Sequence, residues 1–98
     1  MKLQNDCLHI RHGIHLFVFL HSPFDKVSWV RHADVHILAV GSQTFTTDTR
    51  FSASYFEDAG RFNLAIKRVR KSDEGTYECQ ISTKPIITFH IHLQVKGM

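Results

Sequence analysis

Histidine and cysteine are the residue types in this 98-residue chain best suited to bind a metal, and their spacing decides whether they do. Of the eight histidines, His9, His12 and His15 recur at every third position, while His90 and His92 share one face of a predicted strand. Neither group has neighbours that supply the remaining ligands of a metal centre. We therefore predict no metal site and no cofactor, and we interpret the histidines as polar, outward-facing positions.

The cysteines and the lack of a catalytic motif narrow the chemistry further. Cys7 and Cys79 allow at most a single disulfide, and no CxxC spacing indicates a structural zinc site. No nucleophile is spaced with a base in a recognisable motif. The sequence therefore predicts a protein that is not an enzyme and has no small-molecule substrate.

Length and charge describe an ordinary small domain. Ninety-eight residues suffice for one domain, and 43% of them are hydrophobic. The net charge is +3, and the densest basic stretch is Lys67-Arg68 with Arg70-Lys71. Because no base-stacking aromatic pattern accompanies that stretch, we interpret it as a solvated strand end and predict no nucleic-acid partner.

One apolar run, Ile14–Leu20 (IHLFVFL), has two interpretations. It is much shorter than the ~18 residues needed to cross a bilayer, so no transmembrane segment is predicted. The run follows basic residues, as the apolar part of a signal peptide does, but it lacks a small-x-small cleavage site. A buried strand explains the run equally well, and both interpretations remain open.

From Val27 onward, short alternating segments separated by turn residues are typical of an all-β domain. Two of these segments show the period of a half-buried sheet, with Phe62, Leu64 and Ile66 in one and alternate residues of Phe89–Val95 in the other. Several strands at this spacing favour a sandwich or a barrel. The predicted strands are Lys26–His32, His36–Val40, Thr44–Thr47, Phe51–Ser54, Phe62–Val69, Thr76–Thr83 and Ile87–Val95.

The motif Asp73-x-Gly75-x-Tyr77-x-Cys79 identifies the type of sandwich. Gly75 provides backbone freedom at the corner before a strand. Tyr77 stands two residues before the cysteine, where a tyrosine corner returns its hydroxyl to the preceding backbone. The motif is typical of an immunoglobulin-like domain.

Two further residues strengthen this interpretation. Trp29 lies fifty residues before Cys79, a suitable gap for the buried tryptophan of strand C. Arg50 opens the strand at which V-type domains hold an arginine, and we predict that it pairs with Asp73. Together these structural residues predict a V-type immunoglobulin sandwich.

Three blocks of sequence resemble the first immunoglobulin domain of insect Dpr (defective proboscis extension response) proteins. They are Val27–Gly41 (VSWVRHADVHILAVG), Thr44–Phe51 (TFTTDTRF) and Asp73–Pro85 (DEGTYECQISTKP), within a resemblance that covers residues 26–95. One departure is Ala33, where that family usually carries a basic residue. The resemblance implies an extracellular or cell-surface module of neurons that binds Dpr-interacting proteins (DIPs) during selection of synaptic partners.

The front of the chain departs from the V-type pattern. A strand B cysteine is expected about 12–14 residues before the tryptophan, yet His15–Phe17 contains none. We therefore divide the chain into an atypical segment, residues 1–25, and a V-type domain, residues 26–98, incomplete at strands A and B. Residues 14–20 are a possible substitute for strand B, and we expect an alternative start or a truncated gene model to explain the segment. Cys79 is expected to remain a buried thiol beside Trp29.

The binding surface follows from strand parity and from the resemblance. Trp29, Tyr77 and Cys79 point inward, so their neighbours point outward on strands C and F. Strand C′ is more apolar than a strand that faces only water, which is typical of a protein interface. We predict these partner-binding residues: Val30, His32, His36, Ile37, Leu38, Val40, Phe45, Gln80 and Ser82.

Two functional interpretations remain open. The first is a module that binds a DIP-like immunoglobulin-superfamily protein, with a weak homodimer as a further possibility. The second is a truncated fragment that does not bind, because loss of the disulfide removes about 2–5 kcal/mol from a small domain.

Overall fold

The structure, a computed structural model, describes residues 4–10, 13–19 and 26–95, with side chains described from Gly13 onward. Within these ranges no helix is long and apolar enough to span a membrane. Nine strands and two short 3-10 helices are present in the described residues. The strands are β1 (Gln4–Ile10), β2 (Gly13–Phe19), β3 (Val27–Arg31), β4 (His36–Val40), β5 (Gln43–Thr44), β6 (Phe51–Phe56), β7 (Arg61–Lys67), β8 (Gly75–Ile81) and β9 (Ile87–Leu93); the 3-10 helices are Glu57–Ala59 and Lys71–Asp73.

The strands form two antiparallel sheets with the orders β1-β2-β7-β6 and β5-β4-β3-β8-β9. One face of each sheet supplies the core, because inward and outward residues alternate along the strands. The predicted all-β sandwich is therefore confirmed.

Most predicted strands are present, with differences at their ends. The predicted strand Phe62–Val69 ends at Lys67, because Arg68 has a left-handed backbone (φ 46°) that cannot continue a strand. Of the predicted strand Thr44–Thr47, only Thr44 lies in a strand, because β5 consists of Gln43–Thr44.

The core is lined by alternate residues of strands from both sheets. Fully or almost fully buried side chains include Trp29, Leu64, Ile66 and Tyr77. In β9 the predicted alternation holds for Ile91 and Leu93, while Phe89 is only half-buried and packs at the edge of the core.

The apolar run at residues 14–20 forms most of β2, so in this fold the run is a strand. Ile14, Leu16 and Val18 are completely buried and alternate with partly exposed residues. The strand pairs along its whole length with β7, from Gly13–Lys67 to Phe19–Arg61. Leu20 lies outside the described residues.

The structure also has a strand at the very front, where the sequence had no recognised counterpart of strands A and A′. β1 pairs antiparallel with β2, from Gln4 opposite Phe19 to Ile10 opposite Gly13. The sequence of β1 (QNDCLHI) gave no clear alternation; its position is defined by hydrogen bonding to the edge of β2.

Cys79 is a buried free thiol directly opposite Trp29 in the β3–β8 register, as expected. It has no exposed surface. Burial raises the pKa of the Cys79 thiol to about 12, because the charged thiolate is poorly solvated in the core. The thiol is therefore protonated at neutral pH.

Candidate functional site

The corner before β8 is held by a buried ion pair, as the sequence predicted. Arg50 donates two hydrogen bonds to the carboxylate of Asp73, at 2.7 Å (Nη1–Oδ2) and 2.9 Å (Nη2–Oδ1). The same guanidinium donates to Asp48 and to the carbonyl oxygen of Arg68. Both partners of the pair are almost fully buried, so their geometry is fixed by packing as well as by charge.

The ion pair sets the protonation state of Asp73. Burial by itself would raise the pKa of this carboxyl, but hydrogen bonds from the Arg50 side chain and the Arg70 backbone outweigh burial. The pKa of Asp73 is therefore lowered, and its charge is retained at neutral pH.

Tyr77 completes the corner. Its hydroxyl donates a 2.6 Å hydrogen bond to the carbonyl oxygen of Asp73, which confirms the predicted tyrosine corner. Gly75 has φ +144°, a conformation that favours glycine, so the predicted need for backbone freedom is also confirmed. This corner has a structural role: it fixes where β8 begins and which of its side chains face outward.

The outward side of the sheet β5-β4-β3-β8-β9, called here the five-stranded face, carries most of the predicted binding residues. Strand register arranges its side chains in rows across the sheet. One row runs Val40, Ser28, Gln80 and Thr88, and the next runs Ile37, Val30, Glu78 and His90.

A shallow depression of about 500 Å³ lies on this face. It is lined by Val30, His32, Val35, Ile37, Glu78 and Gln80. Four of these six residues, Val30, His32, Ile37 and Gln80, are predicted binding residues that the fold brings together. Val30 is only 8% exposed, although it does not pack with the buried side chains between the two sheets. Neighbouring side chains of the outer face cover it.

Exposed apolar side chains border the depression. Ile37 is 52% exposed and Val35 is 81% exposed. Val35 also has a left-handed backbone (φ 51°), which is unfavourable for a β-branched residue. Val35 lies at the tip of the β3–β4 turn and packs against no core. Burial within the isolated domain therefore does not offset the cost of its strained backbone.

Two predicted binding residues do not belong to this surface. Leu38 is completely buried, because a β-bulge at Trp29/Val30 turns both Leu38 and Ala39 into the core. His36 is paired with Arg31, which is itself paired with buried Tyr77, so His36 lies on the inward side at the end of the sheet. The assignment of Leu38 and His36 as contact residues is therefore corrected.

The other three predicted residues lie outside the depression. Val40 is partly buried in the row of Gln80. Phe45 is 54% exposed and directly follows the edge strand β5. Ser82 is exposed, and its hydroxyl oxygen accepts a 2.7 Å hydrogen bond from the backbone N–H of Lys26.

Glu78 is the electrostatic centre of the five-stranded face. Its Oε1 lies 2.7 Å from Nε2 of His32 and 3.1 Å from Nε2 of His90, while Gln80 donates a 2.6 Å bond to Oε2. The contact with His32 is the largest cause that lowers the pKa of Glu78, followed by the bond from Gln80.

Strand parity placed Glu78 on the outward side of its strand, but sequence reasoning did not name Glu78, Val35 or His90 as binding residues. Val35 follows the turn residues Ala33-Asp34, so its exposure had no signal in the strand pattern. Glu78 and His90 are twelve residues apart in the sequence and become neighbours only through the β8–β9 register.

Comparison with known proteins places this fold among immunoglobulin domains. Residues 14–96 match the family model described as Immunoglobulin V-set domain. Zwei Ig domain protein zig-8 of Caenorhabditis elegans is 31% identical over 70 residues, which make up 71% of this chain and 26% of that protein. Lachesin of Drosophila melanogaster is 35% identical over 66 residues, 65% of this chain and 18% of that protein. The chain thus spans about a quarter or less of the length of these relatives.

Solved structures with the same fold include complexes between immunoglobulin domains. A chain in the complex of Dpr2 Ig1-Ig2 with DIP-Theta Ig1-Ig3 is similar with a TM-score of 0.80 and 34% identity, over 87% of this chain and 39% of that chain. A chain in the ZIG-8–RIG-5 IG1-IG1 heterodimer has a TM-score of 0.80 and 26% identity, over 88% of this chain and 75% of that chain.

Proposed function

Because the chain belongs to the immunoglobulin V-set family, we propose that it is a recognition module that binds another immunoglobulin-superfamily protein through its five-stranded face. The observation that carries this proposal is the depression with Ile37 and Val35, two exposed apolar side chains, at its edge. Apolar side chains beside polar groups such as Gln80 are typical of the centre of a protein interface.

The energetics favour a partner at this surface. Covering a fully exposed isoleucine or valine is worth about 1.5–3 kcal/mol, so burial of the exposed parts of both is worth about 2–4 kcal/mol. That gain is a useful share of the free energy of binding, since a micromolar complex corresponds to about 8 kcal/mol. The strained backbone of Val35 supports a functional role for this residue in binding the partner.

The comparisons support the class of partner. This chain is similar to domains found in the Dpr2–DIP-Theta and ZIG-8–RIG-5 complexes, in which immunoglobulin domains associate with one another. We propose a DIP-like partner, an extracellular or cell-surface location, and a role in neuronal recognition and selection of synaptic partners. The proposed activity is binding and not catalysis.

Two substitutions with matched controls test this proposal in binding titrations against a panel of DIP ectodomains. Ile37→Ala should weaken binding by about tenfold or more, the equivalent of ~1–2 kcal/mol for a buried contact residue. Lys67→Ala, an exposed position on the other sheet, should change affinity less than twofold.

Phe45→Ala and Phe56→Ala form a second pair, because both phenylalanines are exposed (54% and 43%) but belong to different regions of the sandwich. Phe45→Ala should weaken binding and Phe56→Ala should not. Equal losses within both pairs would contradict the proposed surface.

The second candidate is a fragment that folds poorly and does not bind. The observation that favours it is the free Cys79, at a place where a disulfide would stabilise the sandwich. A purified chain with a dispersed proton NMR spectrum would exclude the poorly folded fragment. A dispersed spectrum with no binding to any member of the panel would refute the recognition proposal.

A further inference from the structure

We propose that His32, Glu78 and His90 form a binding site for a divalent transition-metal ion such as Zn²⁺ on the five-stranded face. His32 directly follows β3, Glu78 lies in β8 and His90 lies in β9, and these three strands are neighbours in the sheet. The proposal concerns the isolated chain and does not depend on whether the face binds another protein.

The ligand atoms already converge. One nitrogen of each imidazole and one carboxylate oxygen all lie within 4.8 Å of one another. In a tetrahedral zinc site with bonds of ~2.1 Å, ligand atoms are about 3.4 Å apart. The contacts of Glu78 Oε1 with the two histidines, at 2.7 and 3.1 Å, need little change. The separation between the two histidines is the one that must shorten.

The two histidines are free to make that adjustment. Their side chains are 43% exposed for His32 and 50% exposed for His90, so neither is locked by core packing. The rings already meet edge to face, with centroids 5.3 Å apart. A small rotation of either ring directs its nitrogen toward the position of an ion bound to Glu78 Oε1.

Glu78, in contrast, is held in position. Its side chain is only 15% exposed, and Gln80 donates a hydrogen bond to Oε2, the oxygen that faces away from the histidines. A neighbour that orients a ligating carboxylate in this manner is typical of metal sites. The backbone is equally defined, because Glu78 lies directly opposite His90 in the β8–β9 register and the backbone N–H of His32 bonds to Thr76.

The donor set selects the class of ion. Two imidazole nitrogens and one carboxylate oxygen suit Zn²⁺, Cu²⁺ or Ni²⁺, whereas Ca²⁺ and Mg²⁺ prefer oxygen ligands. Three protein ligands leave one position of a tetrahedral ion open on the surface. Without a metal, the same residues form a polar cluster in which His32 donates its Nε2–H to Glu78 Oε1 and His90 Nε2 lies 3.1 Å from the same oxygen. The experiment below distinguishes a metal site from such a cluster.

The test is calorimetric titration of the full chain with ZnCl₂. His32→Ala, His90→Ala and Glu78→Gln should each weaken zinc binding at least tenfold. His92→Ala is the matched control, since His92 is an exposed histidine on the same strand as His90 but bonds to Thr76. It should alter the affinity less than twofold.

A second measurement reads the geometry. Co²⁺ bound to the wild-type chain should give the visible absorption of a tetrahedral ion, and this absorption should disappear in His90→Ala but not in His92→Ala. Circular dichroism of each variant checks that the fold is retained. Zinc binding that is equally strong in His90→Ala and His92→Ala, or no zinc binding by the wild-type chain, would overturn the proposal. Either result is independent of the titrations against DIP ectodomains.

Discussion

A cysteine placed at an inward position of β2 should give Cys79 a disulfide partner. Leu16 and Val18 are the inward residues in the middle of β2, and both share the core with Cys79 without any exposure. Spacing from Trp29 favours Leu16, and Val18 is the next inward position. We therefore expect Leu16→Cys or Val18→Cys to cross-link to Cys79, while Phe17→Cys, on the outward side between them, does not.

The size of the effect follows from the loop that the disulfide closes. Residues 16 or 18 and 79 are separated by about 60 residues, for which the chain-entropy model gives about 4 kcal/mol as an upper value. Measured values are typically about 2–4 kcal/mol. In a domain of this size 1 kcal/mol moves the melting temperature by about 4–8 °C, so the cross-link should raise it by ~8–30 °C.

The assay compares the oxidised and reduced forms of the same variant, so that the packing cost of the substitution cancels. The variants are made in a Cys7→Ser background, which leaves a single possible pair. Mass spectrometry of non-reduced peptides identifies the bond, and thermal unfolding measures its effect. If neither inward variant forms the bond, or Phe17→Cys forms it equally well, our placement of β2 opposite Cys79 is refuted.

Four further predictions concern the corner and the thiol. Arg50→Met should destabilise the chain by about 3–5 kcal/mol, because it leaves the Asp73 carboxylate buried without its partner, whereas Lys67→Ala should change denaturant unfolding by less than ~0.5 kcal/mol. Because the pKa of Asp73 is lower in the folded chain than in the unfolded chain, where it is about 4, the ionised carboxylate stabilises the fold above about pH 4. This contribution is lost as the pH falls through the lowered pKa. Acid titrations of stability should show the loss in wild type and not in Asp73→Asn. Tyr77→Phe should cost about 1–2 kcal/mol, because the buried carbonyl oxygen of Asp73 loses its donor. The raised pKa of Cys79, about 12, predicts no reaction with a thiol reagent at pH 8 until denaturant unfolds the chain; fast reaction of the native thiol would contradict its burial.

The corner was predictable from sequence because its parts are local. Asp73, Gly75, Tyr77 and Cys79 lie within seven residues, and the turn chemistry of each depends on its near neighbours. Arg50 is distant in the sequence, and its pairing with Asp73 was predictable only because V-type domains hold an arginine at this position that pairs with the aspartate of the corner. The alternation in β7 and β9 likewise reflects a period that a short segment carries by itself.

The sequence alone thus determined the type of sandwich and most of its strands, because hydrophobic period and corner motifs are properties of short segments. Only the tertiary structure decided which side chains meet on the five-stranded face. A bulge of one residue at Trp29/Val30 turned Leu38 inward and left Ile37 exposed, and the register of β8 and β9 brought His90 to Glu78. Bulges and registers are set by packing and hydrogen bonding between strands, so no single segment contains the information that fixes them.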